Sequence, residues 1–137
     1  MALVLPSAAE KTVLDFLLGA ATPSNQVLKL FTNNIAPSDT DTASTYTEMA
    51  TLGYVAKTLT KTSWLTTAGA TGAPAVSTYA QQAWTFTAGT AVTVYGYFVI
   101  DSTTGLLLWA EAFGTAKVVQ NTGDQILITP TITLSRT

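Results

Sequence analysis

Any chemistry in this chain would have to come from carboxylates, because it contains no histidine and no cysteine. The absence of imidazole and thiol excludes acyl-transfer triads, thiol catalysis, disulfides and zinc sites of the usual Cys/His type. Two groupings among the eight acidic residues have a spacing that could matter. Asp39 and Asp41, in Ser38-Asp39-Thr40-Asp41-Thr42, could offer oxygens to a calcium ion, with Glu48 as a looser third ligand. An EF-hand loop starting at Asp39 places Ala43, Ser44 and Ala50 where a ligand, the glycine and the bidentate glutamate belong, so that pattern fails. Solvated loop residues making local turns are the simpler reading, and no metal is assigned.

The second grouping centres on Glu111, which alternates with Trp109 and Phe113, a setting that would raise a carboxyl pKa. Glycoside hydrolysis needs a second carboxylate about 5 to 10 Å away, and only Asp101, across an expected hairpin, is near. A rim or interface role for Glu111, paired with a lysine, is preferred. The chain is expected not to be an enzyme, and no catalytic residue is assigned. Gly69-Ala70-Thr71-Gly72 lacks the lysine and the following helix of a phosphate loop, so no cofactor is expected. Trp64, Trp84, Trp109, Tyr79, Tyr95 and Tyr97 could stack on sugars, which keeps a carbohydrate-binding module as an alternative. On strands such side chains are more often core or interface anchors.

What must position these residues is a sheet. The chain has 137 residues, enough for one domain with a real core. Apolar residues make up 47% of it but charged ones only 10%, against roughly 25% in ordinary soluble domains. Threonine, with 27 residues, fills the difference. It is β-branched, favours strands, and faces water without a charge. A net charge of −2 gives little repulsion between copies, so a homo-oligomer is expected. The scattered Lys11, Lys29, Lys57, Lys61, Lys117 and Arg136 form no basic stripe, and nucleic acid is not an expected partner. No apolar run reaches the roughly 18 residues that span a bilayer, so no membrane association is expected. The N-terminus lacks a positive region and Asp15 interrupts the next apolar stretch, so no secretory signal is expected either.

One helix is expected, in an arm over residues 1–24. Ser7 and Glu10 have capping-box spacing, and Val13, Leu14, Leu17 and Leu18, widened by Phe16, recur at helical intervals up to Gly19. It could cover one end of a sheet or dock as an arm on a neighbouring subunit. Residues 25–137 alternate as strands: Gln26 to Asn33, Leu52 to Lys61, Tyr79 to Thr87, Ala91 to Asp101, Leu106 to Phe113 and Gln125 to Leu134. The fourth is apolar on both faces, as in a central strand. Pro130 marks the last as an edge strand or a bulge. Trp84, Phe86, Phe98, Trp109, Ile126, Ile128 and Leu134 are the expected core. The fold class is therefore all-β, an antiparallel β-sandwich of jelly-roll-like type with a short N-terminal helix.

A set of motifs also carries a resemblance. Leu28-Lys29-Leu30-Phe31, Asn33-Asn34, Pro37-Ser38-Asp39-Thr40-Asp41-Thr42 and Tyr46-Thr47-Glu48 resemble segments of small virion proteins of tailed bacteriophages. So do Gly53-Tyr54, Tyr79-Ala80-Gln81-Gln82-Ala83-Trp84-Thr85-Phe86, Val94-Tyr95-Gly96-Tyr97 and Leu108-Trp109-Ala110-Glu111-Ala112-Phe113. Gly123-Asp124-Gln125-Ile126 and Thr129-Pro130-Thr131-Ile132-Thr133-Leu134 complete the set, which covers residues 26 to 135 and leaves the helix outside. The resemblance implies a capsid decoration (cement) protein on the capsid exterior, bridging major capsid protein subunits, with a trimer favoured. Tail, baseplate or adaptor proteins share these features. No catalytic or ligand residues come with the family. The loops Asn33 to Thr47 and Thr66 to Pro74 are the expected contact regions, with Asn33, Asn34, Asp39, Asp41, Glu48, Trp64 and Thr71 as candidate contact residues.

Overall fold

The computed structural model describes residues 6–20, 22–70 and 73–134. Thr71 lies outside them. The elements in order are α1 (Ser7–Leu17), β1 (Gln26–Phe31), β2 (Lys57–Leu59), β3 (Leu65–Thr67), β4 (Ala75–Thr78), β5 (Gln82–Thr85), β6 (Val92–Asp101), β7 (Leu107–Val119), β8 (Gln125–Ile128) and β9 (Thr131–Leu134). All strand pairs are antiparallel. A large sheet has the order β2-β1-β6-β7, and facing it are a sheet β3-β4-β9 and a pair β5-β8. The chain passes directly from β4 to β5 and from β8 to β9, and the Tyr79 N–H donates to the Pro130 carbonyl where both runs bend. The two small sheets are therefore halves of one bent layer. The fold is an all-β sandwich with one short helix.

Alternation along β1, β6 and β7 decides what lies between the layers. Leu28, Leu30, Tyr97, Val99 and Trp109 face inward and meet Trp84, Phe86, Ile126 and Ile128 from the second layer. Phe31, Phe98, Leu107 and Ala110 point to the other side of the large sheet, where Tyr46 covers them. Both faces of β6 are thus buried, as its doubly apolar sequence predicts. Burying one such large side chain contributes about 1.5 to 3 kcal/mol. Gly96 has no room for a side chain between β1 and β7: a Cβ there would run into the Glu111 carbonyl, the Ala112 Cα and the Phe31 ring. Beside it the register between β6 and β7 jumps, and β7 carries the extra residues Phe113 to Ala116 as a bulge.

Several elements differ from their expected form. Leu52 to Lys61 is strand only over β2, because Leu52 and Gly53 both take positive φ and turn the chain. β4 falls in a stretch whose small residues give no strand signal. β7 runs six residues past Phe113, its bulge hiding the alternation. The expected last strand is split at Pro130 into β8 and β9, both at sheet edges. Trp84, Phe86, Phe98, Trp109, Ile126 and Ile128 are core residues, but Leu134 is 75% exposed because it stands at the end of a strand with one neighbour. The capping box does not form, since the helix starts one residue early with Pro6 as N-cap. The Pro6 carbonyl accepts from the Ala9 and Glu10 N–H groups, while the Ser7 N–H donates to the Asp39 carbonyl at 3.0 Å. At the other end Gly19, with φ +72°, allows the Gly19 and Ala20 N–H groups to reach the Phe16 and Asp15 carbonyls.

Candidate functional site

The Asn33 to Thr47 loop is tied down by its own side chains. Asn33 donates to the Thr45 carbonyl and accepts from the Thr47 N–H, at 2.9 and 2.8 Å. Asp41 accepts from the Ser38 N–H at 2.8 Å and from the Tyr46 hydroxyl at 2.6 Å. The Tyr46 ring then lies 4.9 Å from that of Phe31 and 5.1 Å from that of Phe98, centroid to centroid, stacked on the latter. Burial, reinforced by Asp41, pushes the Tyr46 hydroxyl well above its ordinary range, so it stays a donor. This polar, charged stretch acts as a lid on the outer face of the large sheet.

The candidate contact residues do not form one patch. Asn33 and Asp41 use their polar atoms within the loop, while Asn34 and Asp39 are exposed on it. Glu48 is half-buried, 2.8 Å from the Lys29 ammonium, and accepts from the Tyr54 hydroxyl. Asp39, Asp41 and Glu48 do not converge, and no cluster of three metal-ligating side chains occurs among the described residues. Trp64 lies on the opposite side of the large sheet, edge-on to Tyr79 and Trp109, and donates from its indole to Gln26.

Glu111 pairs with a tyrosine rather than the expected lysine, accepting from the Tyr97 hydroxyl at 2.5 Å. Cross-strand register sets these two opposite each other, which alternation alone does not reveal. Burial, then the Glu111 carboxylate, pushes the Tyr97 hydroxyl up. Asp101 lies four residues further along β6 than the partner of Glu111, roughly 13 Å at 3.3 Å per residue. That exceeds the separation glycoside hydrolysis uses. Burial pushes the Asp101 carboxyl up, but the N–H groups of Thr104 and Thr103, with the Thr104 and Ser24 hydroxyls, outweigh it and hold its pKa below the usual value. Asp101 thus ties the β6–β7 turn. Of the six aromatics considered for sugar stacking, Tyr79, Trp84, Tyr97 and Trp109 are buried, leaving Trp64 and Tyr95 partly accessible. The Trp84 indole donates to the Val55 carbonyl at 2.8 Å.

A cleft of about 670 Å³ lies between α1, the loop around Asp41 to Ser44 and the β6–β7 turn. Phe16 and Leu107 line it together with Asp15, Asp41 and Asp101. The helix above it is turned in an unexpected way. Ala9 is buried and Thr12, Asp15 and Phe16 are half-buried, so they form the face toward the body. Val13 and Leu14 are about half exposed and Leu17 and Leu18 are each 78% exposed. The apolar stripe that predicts the helix therefore points away from the sandwich.

No family model and no curated protein matches the chain. Its surfaces are the remaining guide to function. Two of them escaped the sequence reading. One is the outward turn of the α1 stripe, which helical periodicity cannot distinguish from an inward one. The other is the outer face of the second layer, where Leu65, Leu127, Thr131 and Thr133 are exposed. A signal for it existed, because no residue from Thr62 to Ile100, or from Gln125 to Leu134, is charged.

Proposed function

We propose that this protein is a structural component of a phage virion, a capsid decoration protein whose copies clamp neighbouring major capsid protein subunits from outside. The observation that supports this reading is the unburied face of α1. Contiguous exposed aliphatics on a small domain mark an interaction surface, and Val13, Leu14, Leu17 and Leu18 occupy one side of a helix held to the body by other residues. The motif resemblance over residues 26 to 135 supplies the kind of partner. Many modest contacts of this type stabilise an assembled shell, because a ligand that binds only the assembled state shifts the equilibrium toward it.

The test is to add purified protein to expanded heads lacking it. Binding in hundreds of copies with a raised melting temperature of the heads supports the role. L14D/L17D, both substitutions in exposed positions, is expected to abolish binding while leaving the melting of the protein itself within a few degrees of wild type. Binding to tail tubes in a few dozen copies instead would make this a tail or adaptor protein. Glycan binding lost on Trp64→Ala would favour a carbohydrate-binding module.

A further inference from the structure

Strand edges in soluble proteins are blunted by charge, bulges or short length, since an open edge templates pairing with another chain. The large sheet follows this rule at both ends. β2 is three residues long and holds Lys57, and β7 carries Glu111, Lys117 and the Phe113 to Ala116 bulge. β9 does not. It has β4 on one side and, among the described residues, no strand on the other. Neither β9 nor any of β3, β4, β5 and β8 contains a charged residue. Leu134, at its end, is exposed on the side of the sheet that Ile132 partly buries.

We propose that the free edge of β9 pairs antiparallel with β9 of a second copy, about a twofold axis through Ile132. The strand's own sequence selects this occupant. In antiparallel pairing, residues directly opposite each other share a face and interact. An axis at Ile132 sets that residue against its own symmetry mate, Thr131 against Thr133, and Leu134 against Pro130. Every hydroxyl then meets a hydroxyl and every apolar group an apolar group, and a slip by one residue would mix them. A symmetric contact also brings any charge near its axis close to its own image, which a strand without charge avoids. The pairing covers Leu134 and joins two outer layers into one longer sheet. It does not rest on the virion reading, and it specifies a twofold contact where the resemblance favours a trimer.

Charge placement tests the register directly. Thr131 and Thr133 are exposed, so substitutions there leave the sandwich intact. Sedimentation equilibrium of the full chain is expected to show a dimer. T131K/T133K sets like charges opposite each other and is expected to raise the dissociation constant roughly tenfold or more. T131E/T133K sets opposite charges together and is expected to restore the dimer. As a second measurement, T131C mixed with T133C is expected to form a disulfide-linked dimer on oxidation, while either alone is not; the chain has no other cysteine to confuse the result. A wild-type chain that stays monomeric at its highest soluble concentration overturns the proposal. So does an oligomer, of any number, that T131K/T133K leaves unchanged.

Discussion

The two layers of the sandwich solve opposite problems. The large sheet is covered on both faces along β6, and several of its polar groups are paired in place: Lys29 with Glu48, which also accepts from Tyr54, Tyr97 with Glu111, Asp101 with the turn it closes. The second layer is covered on one face only, and its strands carry no charge at all. Wherever charge occurs on the large sheet it is tied to a neighbour or blocks an edge, whereas the second layer has neither need met within the chain. Internal polar pairing is therefore concentrated in the first layer, and exposed apolar surface in the second layer and the outward face of α1.

The sharpest way to break this contrast is at Gly96. Gly96→Ala drives a methyl group into the backbone of β7 and the Phe31 ring, and is expected to cost about 3 to 5 kcal/mol in urea unfolding. A loss under 1 kcal/mol would mean that the first layer is looser than its packing indicates. Tyr46→Phe comes next. It removes the hydroxyl held by Asp41 but keeps the ring between Phe31 and Phe98, so about 1 to 2 kcal/mol is expected. Faster amide exchange should then be confined to the loop from Asn33 to Thr47, and exchange spread over β6 would show that the lid and the sheet are one unit.

The acid limb of the stability curve gives a smaller effect. The carboxyls of Asp101 and Asp124 sit below their ordinary pKa of 3.8, Asp124 because the N–H groups of Asn121 and Gln120 donate to it. A depressed folded-state value means these groups bind protons more readily when unfolded. Their contribution is complete above the ordinary value and is lost as pH falls through the folded value. Stability should therefore be flat near neutrality and decline below about pH 4. Asp101→Asn should flatten that decline, and an unchanged slope would assign it to other carboxylates. The smallest effect belongs to the second layer. Leu127→Ser, on its solvent face, is expected to change the stability of an isolated copy by no more than about 0.5 kcal/mol. A larger loss seen only at high protein concentration would assign this face to contact between copies.

Legibility in the sequence divides along the same line. Alternation and doubly apolar runs located β1 and β6 and identified Trp84, Phe86 and Ile126 as core, because burial on a strand imposes a period of two. The same rule misplaced Leu134, since alternation gives the face of a strand but not whether anything stands opposite. Periodicity found α1 and could not say that its aliphatic side faces outward. The acidic residues of Asn33 to Thr47 suggested contact or metal, yet Asp41 serves Tyr46, a partner five residues away that no motif announces. Tyr97 and Glu111 meet because the register between β6 and β7 shifts by one residue between Val99 and Ile100, a step that alternation does not announce.

Pro130 has a consequence beyond the bend it makes. Without it the uncharged edge from Gln125 to Leu134 would run unbroken, long enough to recruit strand after strand into a fibril. Its ring removes one backbone donor and divides the run into two segments of four residues. A chain that lacks the electrostatic defence of ordinary soluble proteins thus keeps a geometric one, and its stickiness is rationed by length.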